Sequence, residues 1–130
     1  MSAADVFRAH PYPLGDAEVD AAQVERDPRG LEPCAPGAKL DAGKPDAGLL
    51  LDFGRALLAV AEVSTHGARK YSRGGWQHVA GGVERYTAAM MRHLLCEPRE
   101  DRDRDSGLPH AAQTAWNALA RLELMLRREA

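Results

Sequence analysis

Three blocks of this chain repeat apolar residues at helical spacing, which predicts an all-α fold. From about Ala47 to His66, the residues Leu50, Phe53, Leu57, Val60, Ala61 and Ser64 make a stripe, and Gly67 stands where a C-terminal glycine cap belongs. A second block, from about Val83 to Leu95, places Val83, Tyr86, Thr87, Met90 and Leu94 on one face, with Glu84, Arg85 and Arg92 on or near the other. The third block opens at Asp105-Ser106-Gly107-Leu108-Pro109, whose capping side chains and proline suit a first helical turn, and runs to about Arg127. Its apolar face is Leu108, Ala112, Ala115, Leu119, Leu122 and Leu126. His110, Thr114, Asn117 and Arg121 form a polar stripe of the kind that faces water. Between the first two blocks, Gly74-Gly75 and Gly81-Gly82 leave room for one short helical turn at most.

Ahead of the helices, residues 1–38 hold five of the eight prolines (Pro11, Pro13, Pro28, Pro33, Pro36) and read as an extended arm, with a short helix over Asp16–Arg26 its one predicted element. Residues 39–130 are then the helical domain. A chain of 130 residues buries only a modest core, so the bundle is expected to be completed by self-association into a dimer or tetramer. The net charge of −2 argues against a protein that coats a nucleic acid polymer. The first residues lack an apolar signal core and no later apolar run spans a bilayer, so a soluble cytoplasmic protein without a membrane partner is expected. Cys34 and Cys96 lack the paired spacing of a zinc site or a disulfide framework and read as free thiols.

Candidate chemistry gathers between Met90 and Asn117. Glu97, Glu100, Asp101, Asp103 and Asp105 crowd one loop, a density of negative charge that repels itself unless a cation neutralises it. Arg99, Arg102 and Arg104 alternate with them, and a solvated mixed-charge loop is the competing explanation. Glu62 late on the first helix, His93 beside the second stripe, and His110 at the start of the third complete the set. Oxygen-rich ligands suit Mg²⁺ or Mn²⁺, whereas zinc would want more histidine or cysteine. The implied chemistry is metal-assisted attack of water on a phosphoanhydride. Glu62, Glu100 and Asp103 are the expected metal ligands, with His93 and His110 as further ligands or orienting groups. Lys39, Lys44, Lys70 and Arg92 are expected on the phosphates, and Trp76 or Tyr71 stacked on the base. Asn117 is expected on the substrate or a second subunit. Solvated lysines and a Trp76 packed over the core remain the alternative roles for those residues.

The run Lys39-Leu-Asp-Ala-Gly-Lys-Pro45, then Ala61-Glu-Val-Ser-Thr-His-Gly-Ala-Arg-Lys-Tyr71, Trp76, Arg85-Tyr86, Arg92-His93-Leu94-Leu95, Glu100-Asp-Arg-Asp-Arg-Asp-Ser-Gly-Leu-Pro-His110 and Asn117 resembles the phage and bacterial dATP/dGTP diphosphohydrolases. These are related to the all-α MazG-like nucleotide pyrophosphohydrolases. The resemblance covers about residues 38–126. It implies a metal-dependent, homo-oligomeric enzyme that converts a purine deoxynucleoside triphosphate to its monophosphate and pyrophosphate. Some phage relatives resemble enzymes that supply dGMP for 2-aminoadenine nucleotides, which implies the cytoplasm of a bacterial host. Two features depart from the pattern. Only Glu62 stands where the MazG-like first helix carries a paired-glutamate motif, and Gly75 precedes Trp76 where an asparagine is frequent.

Overall fold

The structure, a computed structural model, describes residues 25–129, and the chain divides into two units, 12–51 and the remainder. The short helix expected over Asp16–Arg26 falls almost entirely outside the described residues. In the first unit, residues 25–51 are rich in turns and organised by Asp27, whose buried carboxylate accepts the backbone N–H groups of Arg29 at 2.8 Å and Lys39 at 2.7 Å. The Ala42 N–H donates to the Arg26 carbonyl at 3.1 Å. Where an extended arm was expected, the prolines of this stretch therefore sit in turns tied together by one side chain.

A 3₁₀ helix, Ala47–Phe53, leads into the second unit, which holds three α-helices: α1 (Gly54–Lys70), α2 (Gly82–Cys96) and α3 (His110–Glu129). A second 3₁₀ turn, Gly75–His78, lies between α1 and α2. No strand occurs among the described residues, and the fold is all-α. The first helix does not stop at Gly67. It continues through Ala68, Arg69 and Lys70 to its cap at Tyr71, because Gly67 keeps an ordinary negative φ and the basic last turn complements the helix dipole. The true breaks are Gly74 and Gly81, with φ of 74° and 63°, a region closed to most L-residues. Gly82 then lets α2 begin directly under α3, since a Cβ there would lie 2.7 Å from Leu124 Cδ1.

The third helix is central, packing against α2 over most of its length and against α1 on another side. The buried apolar residues are few and small, Val63, Ala112 and Ala120. The apolar stripes expected to form the core are largely outside it. Phe53, Leu57 and Leu58 leading into and along α1, Leu94 and Leu95 on α2, and Leu119 and Leu122 on α3 are exposed. The α3 stripe expected to face water is instead partly inside, with His110 and Asn117 buried beside Gln113. Among the described residues, no helix is long and apolar enough to cross a membrane.

Candidate functional site

A cleft of about 910 Å³ opens within the helical unit, and each helix contributes residues at helical intervals. The end of α1 supplies Val63, His66 and Lys70; α2 supplies Arg85, Ala89, Arg92 and His93; α3 supplies Gln113, Trp116 and Asn117. Along each helix these residues recur at intervals of three or four, with Arg92–His93 and Trp116–Asn117 as adjacent pairs, so they share one side of the helix. Asp103 and Asp105 enter from the loop between α2 and α3.

That loop is closed by hydrogen bonds around Asp103, while most of its other charged side chains are exposed. The backbone N–H of Asp103 donates to the Leu108 carbonyl at 2.8 Å, and that of Gly107 donates to the Asp103 carbonyl at 2.8 Å. Asp103 Oδ2 accepts both the backbone N–H (2.9 Å) and the hydroxyl (2.7 Å) of Ser106, and Ser106 Oγ accepts Gln113 Nε2 at 3.0 Å. Helix α3 thus reaches back through an amide and a hydroxyl to hold Asp103 in place. Burial alone would raise the Asp103 pKa, but the two Ser106 hydrogen bonds and the adjacent His93 and His110 outweigh it and keep the carboxyl below its usual range.

His93 and His110 meet with their Nδ1 atoms 2.9 Å apart, and Asp103 lies close enough that one donor atom from each of the three falls within 4.8 Å of the others. Burial pushes the His93 pKa down, the Asp103 carboxylate opposes this, and His110 and Arg92 add to the fall, so His93 is neutral at neutral pH. Farther along the cleft, Lys70 Nζ donates to Asp105 Oδ2 at 2.6 Å, which raises the lysine pKa and lowers the aspartate. His66 Nε2 lies 3.5 Å from the same oxygen.

Part of the cleft wall is aromatic. Trp76, Tyr86 and Trp116 pack edge to face, with ring centroids 5.6–6.4 Å apart. Their polar ends are satisfied, Tyr86 donating to the Trp76 carbonyl at 2.7 Å and Trp116 Nε1 donating to Ser64 Oγ at 2.8 Å. Arg127 covers a face of Trp76, 5.6 Å from the ring centroid. Tyr71 is exposed at the cleft, with Lys70 Nζ 5.5 Å from its ring centroid.

Of the residues proposed from sequence, Lys70, Tyr71, Trp76, Arg92, His93, Asp103 and Asn117 line this one cleft. Glu100 and His110 do not line it, although His110 backs directly onto His93. Glu62 is exposed and belongs to neither group of converging metal-capable side chains among the described residues. The meeting of Glu62 with Glu100 and Asp103 is thus not formed within the chain, because the buried residue at this level of α1 is Val63, the next position round the helix. Lys39 and Lys44 belong to the other unit, where Lys44 pairs with Glu25 at 3.2 Å. The reading of the sequence missed His66, Ser106, Gln113 and Trp116. Carrying α1 past Gly67 would have put His66 and Lys70 four apart on one face.

Three helices around a polar cleft, lined both by an imidazole–carboxylate cluster and by an aromatic wall, define a small all-α domain of a ligand-binding or catalytic type. Its family is given by the sequence: residues 34–130 match the family model described as dATP/dGTP diphosphohydrolase, N-terminal, and the chain belongs to that family. Comparison with curated proteins and with solved structures returned no match.

Proposed function

We propose that this chain hydrolyses a purine deoxynucleoside triphosphate, dGTP or dATP, to the monophosphate and pyrophosphate, with a divalent cation and as a homo-oligomer. The observation that carries the reading is the meeting of His93 and Asp103 with Arg73, Arg85 and Arg92 in one cleft of a chain of this family. Among the described residues these three guanidinium groups have no acidic partner within 4.0 Å, so they are available to a triphosphate. The cleft volume lies within the roughly 300–1,000 Å³ of small-molecule sites. Tyr71 is better placed than Trp76 to stack on the base, because its ring is exposed while Trp76 is already engaged by two aromatic edges and Arg127.

In this reading His93, neutral and with its Nδ1 engaged by His110, orients the attacking water at the cleft, and the water's proton passes to solvent. The new bond forms between the water oxygen and the α-phosphorus, the bond to the bridging oxygen breaks, and pyrophosphate leaves against the arginines. Of the converging Asp103, His93 and His110, Asp103 is the donor that would hold a cation together with the substrate phosphates, since the two imidazoles engage each other through Nδ1. A carboxylate shared with substrate phosphates suits Mg²⁺ and Mn²⁺ alike. When bound, such an ion screens phosphate charge and acidifies coordinated water.

Incubation with each of the four dNTPs and Mn²⁺ or Mg²⁺, followed by ion-exchange analysis, should yield dNMP and pyrophosphate in equal amounts from a purine substrate. No product from any dNTP would end the proposal. Recovery of bound, intact nucleotide would instead favour a nucleotide-sequestering protein on the same fold. The exposed Glu62, away from the other carboxylates, is the observation behind that second reading. A phage setting that feeds 2-aminoadenine synthesis is consistent with dGMP as product. The homo-oligomer is supported by the exposed Leu57, Leu58, Leu94 and Leu95 on a unit with so few buried apolar residues.

A further inference from the structure

His110 has two edges, and they face different places. Its Nδ1 edge meets His93, which lines the cleft. Its Nε2 edge points to Glu100, 3.8 Å from Oε1, and has no hydrogen-bond partner among the described residues although the residue is only 3 % exposed. A buried ring nitrogen without a partner is costly unless something outside the chain's own atoms engages it. Cys96, at the C-terminal end of α2, stands on this same side. Its Sγ, a Glu100 carboxylate oxygen and a His110 ring nitrogen lie within 4.8 Å of one another. Neither Cys96, Glu100 nor His110 lines the cleft.

We propose that Cys96, Glu100 and His110 form a binding site for one borderline-soft divalent cation of the zinc type, outside the cleft, where α2 ends and α3 begins. Thiolate, carboxylate and imidazole together are a donor set that Zn²⁺ accepts and Mg²⁺ does not. With Zn–ligand bonds of about 2.0–2.3 Å, neighbouring donors in a tetrahedral site stand roughly 3.3–3.8 Å apart, so the His110–Glu100 separation is already close. Glu100 is suitably divided, with Oε2 held by Arg104 Nε at 2.9 Å and Oε1 turned to His110. The tautomer also agrees. If His110 donates its Nδ1–H to His93, its Nε2 carries the lone pair a metal needs, the arrangement in which a ligating imidazole is oriented through its other nitrogen. Three protein donors leave the fourth position to water, and the thiol proton goes to solvent as the metal binds. The site would tie the two helix ends together and, through His110, fix the ring of His93 at the cleft.

The test uses the full chain, reduced and freed of metal by chelation, titrated with Co²⁺ as a spectroscopic probe and then with Zn²⁺. The expected result is one Co²⁺ per chain, with a near-ultraviolet thiolate-to-cobalt charge-transfer band that Zn²⁺ removes and excess Mg²⁺ does not. Cys34→Ser should keep the band, and Cys96→Ser should abolish it. Cys96→Ser and Glu100→Gln should each weaken Zn²⁺ binding by more than the roughly 10–100-fold that loss of an outer partner costs. Circular dichroism checks that the variants fold, and Glu100→Gln serves alone if Cys96→Ser does not. Absence of the band in the unmodified chain would overturn the proposal, as would a band that survives Cys96→Ser, or cobalt bound only through exposed side chains without thiolate character. Mn²⁺-supported dNTP hydrolysis, assayed separately, decides the proposed function independently: an intact cobalt site with no turnover defeats only that reading, and turnover without a cobalt site defeats only this one.

Discussion

The two ends of α3 treat water in opposite ways. Toward its start, His110, Gln113 and Asn117 are inside the unit, whereas farther along Leu119 and Leu122 are 49 % and 44 % exposed. Burying imidazole and amide groups costs about 1–3 kcal/mol each unless their hydrogen bonds are replaced. Here most of them are. Asn117 Nδ2 donates to the Gln113 carbonyl at 2.9 Å, Gln113 Nε2 donates to Ser106, and His110 meets His93. The exposed leucines, by contrast, leave unused the roughly 25 cal/mol per Å² that apolar burial provides. The difference teaches that this unit uses its interior to position polar groups and leaves much of its apolar surface exposed.

The strongest way to break that comparison is at the carboxylate. Asp103→Asn keeps the shape but removes the charge at the cleft, and is expected to lower dNTP turnover by roughly 10²-fold or more at fixed Mn²⁺. A rate within twofold of the unmodified protein would remove Asp103 from the mechanism. At the apolar face, Leu58→Glu places a charge on one of the most exposed α1 positions and is expected to shift an oligomer to monomer at micromolar concentration in multi-angle light scattering, with helix content retained. An unmodified chain that is already monomeric there would contradict the assembly.

The pH dependence sharpens the polar end. Because burial lowers the His93 pKa, its neutral form is the one the fold favours. Both its water-orienting role and its contribution to stability are therefore present above the ordinary histidine pKa of about 6.5 and are lost as pH falls through the lowered value. The kcat/KM profile should be flat from neutral pH upward and drop on the acid side of 6.5, with that limb absent in His93→Gln. A limb centred above pH 7 would contradict the assignment. The smallest effect is expected at Gln113→Leu, which cuts the relay from α3 through Ser106 to Asp103. Stability should change by about 1 kcal/mol and turnover by roughly tenfold, with most of the loss in kcat. An unchanged kcat would leave the relay a purely structural feature.

Periodicity and glycine placement were enough to read the all-α class and α2 to within a residue or so at each end. The family was legible too, because it rests on motif order along the chain. Seven of the proposed residues, from Lys70 to Asn117, meet in one cleft, and three of them, Tyr71, Trp76 and Asp103, reach it from segments outside the α-helices. The rest depended on tertiary structure. Whether Gly67 ends a helix depends on its φ, and α1 continued because nothing forced a left-handed turn there. Whether a polar stripe faces water depends on what packs over it, and α2 covers that of α3. Glu62 and Val63 are neighbours in sequence but about 100° apart around the helix axis, so which of them turned inward was decided by the helices packed against α1 and by no local signal.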